Sequence, residues 1–167
     1  MTFQALLTRF KREREAFRNR IGKLDPVRAA HKPGGDAWSA AQVIGHMAIA
    51  EQFYVNAIVE AAELGLEGTP STSLMIPIGC LIMNLGIPIP NPPEMEPPSE
   101  IDLNEALQGF DSAGDAFISW MEAAQDPSHQ EMAKTGMLGP VSAHQMLKMM
   151  DAHLTYHKRK LERTRVI

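Results

Sequence analysis

The segment SAHQMLKMMDAHLTYHKRKLER, Ser142–Arg163, decides how the rest of the chain is read. On a helix, side chains three and four residues apart share a face. Met146, Met150, His153, His157 and Leu161 then form one stripe, widened by Leu147 and Leu154. Lys148, Asp151, Thr155, Arg159 and Glu162 fall opposite. Ser142 with Gln145 three residues on forms a capping box, which marks the helix start. The segment reads as an amphipathic helix that buries one face against other helices, with His153 and His157 inside that face. A buried imidazole needs a partner for each nitrogen, and either hydrogen-bonding neighbours or a metal ion can supply it.

Three further segments carry the same period. Between Thr2 and Ile21, the residues Phe3, Leu7, Phe10, Phe17 and Ile21 trace a helix face, interrupted by Arg14. Gly22 and Pro26 end it, and residues 23–37 read as a connection closing in Lys-Pro-Gly-Gly-Asp. Ser39 with Gln42 is a second capping box, preceded by Trp38 in the position of a hydrophobic staple. The helix it opens runs to about Leu64, with Val43, His46, Met47, Ala50, Phe53, Tyr54, Ala57 and Ala61 on the apolar side. The small residues in that row let another helix come close. Asp102 with Glu105 opens a third helix through Leu103, Leu107, Phe110, Ala113, Phe117 and Trp120, and Asp126-Pro127 closes it. A loop through Thr135-Gly136 and Leu138-Gly139-Pro140 leads back to Ser142.

No stretch alternates with period two, so no substantial sheet is expected. The expected architecture is all-α, a four-helix bundle forming a single domain over 1–167. Between the second and third long helices lies an apolar, Pro-rich insertion. From Gly65 to Pro98 the helical pattern breaks down, through a short, very apolar piece, Leu74–Leu85, and then IPIPNPPEMEPP; part of the stretch reads as a short helix with an extended Pro-rich tail. This segment is a lid over the core, a wall of a pocket or a dimer surface.

Composition narrows the function. The net charge of −4 argues against nucleic-acid binding, which favours a basic surface. The basic runs Arg9–Lys23 and Lys158–Arg165 read as solvated helix faces. A single cysteine, Cys80, excludes an intrachain disulfide and fits a reducing cytoplasm, and its apolar neighbours mark it as core filler. The N-terminal segment lacks the order of a signal peptide. The apolar run Leu74–Pro90 is broken by Pro77, Gly79, Asn84, Gly86 and Pro88 and is shorter than the ~20 residues of a membrane span.

Placed side by side, the second and fourth long helices bring His46, His153 and His157 within reach of one another. Three neutral imidazoles with a vacant position suit a catalytic divalent ion, and imidazole alone does not choose among zinc, nickel, copper and iron. Hydrogen-bonded core histidines are the alternative. His31 and His129 fall in expected loops and His144 on a polar face, so these three read as surface residues.

The pattern Trp-Ser-x-x-Gln-Val-Ile-x-His-Met-Ala-x-x-Glu, Trp38–Glu51, followed by His153 and His157 on a closing helix, resembles the DinB/YfiT-like superfamily. The resemblance spans the whole chain and implies an up-down-down-up bundle. It implies a divalent ion, zinc or nickel, held by His46, His153 and His157, and a homodimer. It further implies a metal-dependent hydrolase or an S-transferase acting with a low-molecular-weight thiol on a small-molecule substrate. A non-catalytic, stress-related metal-binding or dimeric bundle is the other reading. Glu60 and Tyr54 lie near enough to the apolar stripe to be weighed as a general base, and rim or packing roles are the alternative for each.

Overall fold

The computed structural model describes residues 1–35, 37–63, 75–88, 90–124, 131–134 and 140–167. Four long helices carry the fold: α1 (Phe3–Ile21), α3 (Ala40–Glu63), α5 (Leu103–Ala123) and α6 (Ala143–Arg163). Two shorter ones, α2 (Pro26–Ala30) and α4 (Met75–Leu85), lie in the connections. Each long helix starts where its cap residues place it. The Ser39 hydroxyl accepts from the Gln42 amide while the Gln42 side chain accepts from the Ser39 N–H. Ser142 and Gln145 repeat this arrangement. The Asp102 carboxylate accepts from the amides of Asn104 and Glu105.

Cross-helix pairs give the directions. Along α1, Arg9, Glu13 and Arg20 pair in that order with Asp151, Lys158 and Glu162 of α6, so α1 and α6 run parallel. Lys11 meets Glu122 and Arg18 meets Asp111, so α5 runs antiparallel to α1. Gly45 packs on Ile101 just before α5, and Ala48 on Gly109, so α3 and α5 run parallel. His46 and Tyr54 of α3 meet His153 and Met149 of α6, which makes those two helices antiparallel. The order is up-down-down-up.

The core fills from all four long helices, with Phe10, Phe17, Phe110 and Phe117 fully buried. Arg14, which interrupts the α1 stripe, stays inside. Its Nε and Nη2 donate to both carboxylate oxygens of Glu51 at 3.0 and 2.9 Å. Nη2 also donates to the Phe110 carbonyl, the guanidinium lies 3.7 Å from the centre of the Phe110 ring, and Gly114 leaves the room it occupies.

Two expectations are corrected. The connection 23–37 contains α2, because Asp25 caps its start and Pro26 takes the first turn. The segment before α6 is not all loop: Glu131–Lys134 (β1) pairs antiparallel with Pro140–Ser142 (β2). The insertion does hold a short helix. α4 ends in a Schellman arrangement, with Gly86 at φ 73° and the Ile87 amide donating to the Ile82 carbonyl. The expected readings at Leu64, Asp126-Pro127, His129 and Thr135-Gly136 fall outside the described residues. Among the described residues no helix is long and apolar enough to cross a membrane.

Candidate metal centre

His46 stands two turns into α3, and His153 and His157 stand in the second half of the antiparallel α6. This crossing brings the three rings together. His153 Nε2 lies 3.0 Å from His46 Nε2 and 3.0 Å from His157 Nε2. His46 and His157 are each only 3% exposed, while His153 is half-buried.

The tautomer of His46 is set from outside the helices. Its Nδ1–H donates to the carbonyl of Met95 at 2.7 Å, which leaves the Nε2 lone pair facing the other rings. Met95 lies in the Pro-rich tail of the insertion, in a single turn at Pro93–Met95. That tail is anchored alongside α3, because the Gln42 side-chain Nε2 donates to the carbonyls of Pro98 and Ser99 at 3.0 and 3.2 Å. A carbonyl that orients a ligating imidazole is a recurring support of metal sites. The tail of the insertion thus lies against the candidate site, through the Met95 carbonyl.

All three imidazoles are held neutral. Burial pushes His153 down to about 3, with His46 adding to the effect. Burial likewise lowers His46, against the Met95 hydrogen bond and with help from the Lys160 ammonium. His157 is driven well below the usual histidine range by burial, then by His153, His46 and Lys160. Neutral imidazoles have one N–H each, and that of His46 is already given to Met95. One proton on His153 Nε2 or His157 Nε2 cannot make full hydrogen bonds across both 3.0 Å contacts. His157 Nδ1 is buried without a partner. A cation receiving three Nε2 lone pairs resolves the meeting of the three Nε2 atoms, though not the His157 Nδ1. Ligands at ~2.0–2.1 Å around a tetrahedral ion stand about 3.3 Å apart, close to the two 3.0 Å spacings about His153, and all three ligand atoms lie within 4.8 Å of one another. The residues fit a divalent ion, and the three histidines are positioned to hold one.

Around the cluster stand two aromatic rings and a lysine. Trp38 stacks on His157 at 6.2 Å and 11° and leans on His46 at 4.8 Å. Tyr156 meets His157 edge-on at 5.0 Å. Trp38 was expected as a staple; its position over the histidines depends on α6, more than a hundred residues away, and no local signal carries it.

The other candidates fall away from the centre. Glu60 is exposed. Tyr54 is buried, its hydroxyl directed at Met149 Sδ at 3.8 Å, and burial pushes its phenol up, which disqualifies it as a base at neutral pH. His31 is exposed, as expected. His144 is not a free surface residue: its ring is half-buried against Phe3 at 5.9 Å, with Nε2 unpartnered. Cys80 is half-buried against the core, and burial raises its thiol.

A helical bundle whose inner face carries three converging imidazoles fits a protein able to hold a metal ion. The sequence pattern of the DinB superfamily matches residues 9–161, and the chain belongs to that superfamily. Comparison with curated proteins finds no match. Among solved structures, the chain is similar to TT2238, a four-helix bundle protein, at a TM-score of 0.63 and 16% identity. The likeness covers 97% of this chain and 99% of that one. At that identity it bears on the fold alone.

Proposed function

We propose that the protein is a metal-dependent enzyme, a hydrolase or a low-molecular-weight-thiol S-transferase, with zinc or nickel held by His46, His153 and His157. The observation that carries this reading is the convergence of three Nε2 atoms, with His46 Nδ1 committed to the Met95 carbonyl. A divalent ion there would supply Lewis acidity, lowering the pKa of a coordinated acid such as a thiol. The chain's own part is to present neutral lone pairs, to exclude water from His46 and His157 by burial, and to fix one ring through the insertion. Trp38 and Tyr156 place aromatic rings beside His157. The lone Cys80 supports a reducing, cytoplasmic setting.

The test is elemental analysis of the purified protein beside His157→Ala. One equivalent of zinc or nickel in the parent, lost in the variant, supports the site. A parent that stays metal-free after incubation with either ion overturns it. Saturable binding of a low-molecular-weight thiol that requires the ion supports the enzyme reading, and metal-independent binding counts against it.

A second, non-catalytic reading has its own observation. Met75, Ile78, Leu81, Leu85 and Ile87, on and just after α4, are each about half or more exposed, an apolar surface bordered at its end by Arg159 and Arg163. A homodimer or another protein partner covering that surface is the proposal. A monomer in light scattering at every concentration refutes the homodimer.

A further inference from the structure

One cation borders the approach to the histidines. On α6, His153, Tyr156 and Lys160 follow at steps of three and four, so they share the face that carries His157. Lys160 Nζ lies 5.8 Å from the centre of the Trp38 ring, the ring that covers His46 and His157. Trp38, His153, Tyr156 and Lys160 are all half-buried, whereas His46 and His157 are closed off. His153, Tyr156 and the Trp38–Lys160 edge are thus the less buried side of the cluster.

Among the described residues no carboxylate is paired with that edge. Asp151 and Glu162 on the same helix are taken by Arg9 and Arg20. Glu51 is taken by Arg14, and Glu13 by Arg12 and Lys158. Glu94 and Glu96, on either side of Met95, are exposed. Among the described residues none of them pairs with Lys160. At 5.8 Å the ammonium is at the outer limit of a cation–π contact with Trp38, so that contact holds it weakly. With a divalent ion on the three neutral ligands, the Lys160 ammonium, which has no ion-pair partner among the described residues, would add to a positive, half-buried edge, and such an edge would concentrate anions.

We infer that Lys160 selects the substrate class of this centre: a small molecule that binds through one donor atom at the histidines and sets a carboxylate against the Lys160 ammonium, beside the Trp38 ring. The inference rests on the metal reading above. Lys160 is a specificity residue here, since it meets the ligand's charged end and not the histidines. A charge-assisted contact at a half-buried site corresponds to about a tenfold preference for the charged ligand.

Two thiols that differ in the far group test it: 3-mercaptopropionate, with a carboxylate, and 2-mercaptoethanol, with a neutral hydroxyl. Each is titrated into cobalt(II)-loaded protein, and the sulfur-to-cobalt charge-transfer band is read. The parent is expected to bind 3-mercaptopropionate about tenfold more tightly. Lys160→Gln is expected to bring the two thiols level while one equivalent of cobalt stays bound, and Lys160→Arg to keep the preference. Equal binding by the parent, or an undiminished preference in Lys160→Gln, overturns the inference while leaving the metal site intact. A parent that takes up no cobalt overturns both together.

Discussion

Replacing Arg14 with methionine tests how the centre of the bundle is held. Glu51 has no exposed surface and Arg14 only 6%, and the two share paired hydrogen bonds at 3.0 and 2.9 Å. Removing one member of a buried ion pair costs about 3–5 kcal/mol, because the other charge is left without compensation. Here the variant also loses the hydrogen bond to the Phe110 carbonyl and the contact with the Phe110 ring. Two effects work the other way. Methionine fills most of the space beside Gly114, and Glu51 can escape its charge by taking a proton. Burial already raises the Glu51 pKa, against the lowering effect of Arg14, so without Arg14 the raising effect is unopposed.

The expected loss for Arg14→Met at pH 7 is therefore about 3–4 kcal/mol. For a chain of this size that lowers Tm by roughly 6–16 °C. The sign of the pH dependence follows from the raised pKa. A carboxyl that holds its proton more tightly when folded gains stability as pH falls through its folded value, by up to about 1.4 kcal/mol per unit. The variant should thus recover part of its loss between pH 7 and pH 5. Arg14→Met with Glu51→Leu removes both charges and should regain most of the stability, since apolar replacement of a whole buried pair is often neutral or better. Urea denaturation of the four proteins closes the cycle. A single variant within about 1 kcal/mol of the parent, or a double variant that loses the sum of the two singles, refutes the reasoning.

The other expectations are narrower. In chelator-treated protein, lowering the pH from 7 to 5 should reduce stability through the three histidines. Their folded pKa values lie below the usual one, so protons favour the unfolded chain once pH falls below about 6.5; replacing all three with glutamine should flatten this slope in urea denaturation, and an unchanged slope would count against it. Gln42→Ala removes half of a capping box and the tail's anchor to α3, and should cost about 1–2 kcal/mol. Because the tail carries the Met95 carbonyl, the same variant should bind zinc about tenfold more weakly in competition with a chelator. Gly114→Ala places a methyl group against the Arg14 guanidinium and should destabilise by about 1–3 kcal/mol, read as a lower Tm. Leu81→Glu with Leu85→Glu should leave Tm within a few degrees of the parent, because both side chains are more than half exposed, and should abolish any self-association seen by light scattering.

The helices were legible because their signals are local. The two capping boxes and Asp102 place three helix starts, and the rows of Phe and Leu place the buried faces. The histidines were legible for the same reason: each sits in an apolar stripe, and antiparallel packing of α3 on α6 does the rest. What was not legible is non-local or ambiguous. Asp25-Pro26 reads equally as a stop for α1 and a start for α2. Strands of four and three residues are too short to show a period. Arg14 was visible as an interruption, and Glu51 as one letter of a motif, but their pairing across 37 positions exists only once α1 and α3 face each other across the same core.

The Met95 carbonyl shows why part of the site lies beyond any reading of side chains. Every residue contributes a carbonyl, so the sequence of the Pro-rich tail says nothing about which one turns toward α3. Prolines supply the conditions instead. Pro92, Pro93, Pro97 and Pro98 lack backbone N–H groups and stiffen the chain on both sides of Met95, so few local partners compete for its carbonyl. Gly45 then lets the segment close in, since a Cβ there would come within 2.9 Å of Ile101. Gln42 ties down the end of the tail from the same helix that carries His46. With His46 Nδ1–H engaged, its Nε2 lone pair has no protein donor that does not take one from His153 or His157. The insertion thus turns a histidine that could have been satisfied within the core into one whose free nitrogen is directed at a shared point. That step separates a cluster of core histidines from a site positioned to hold an ion.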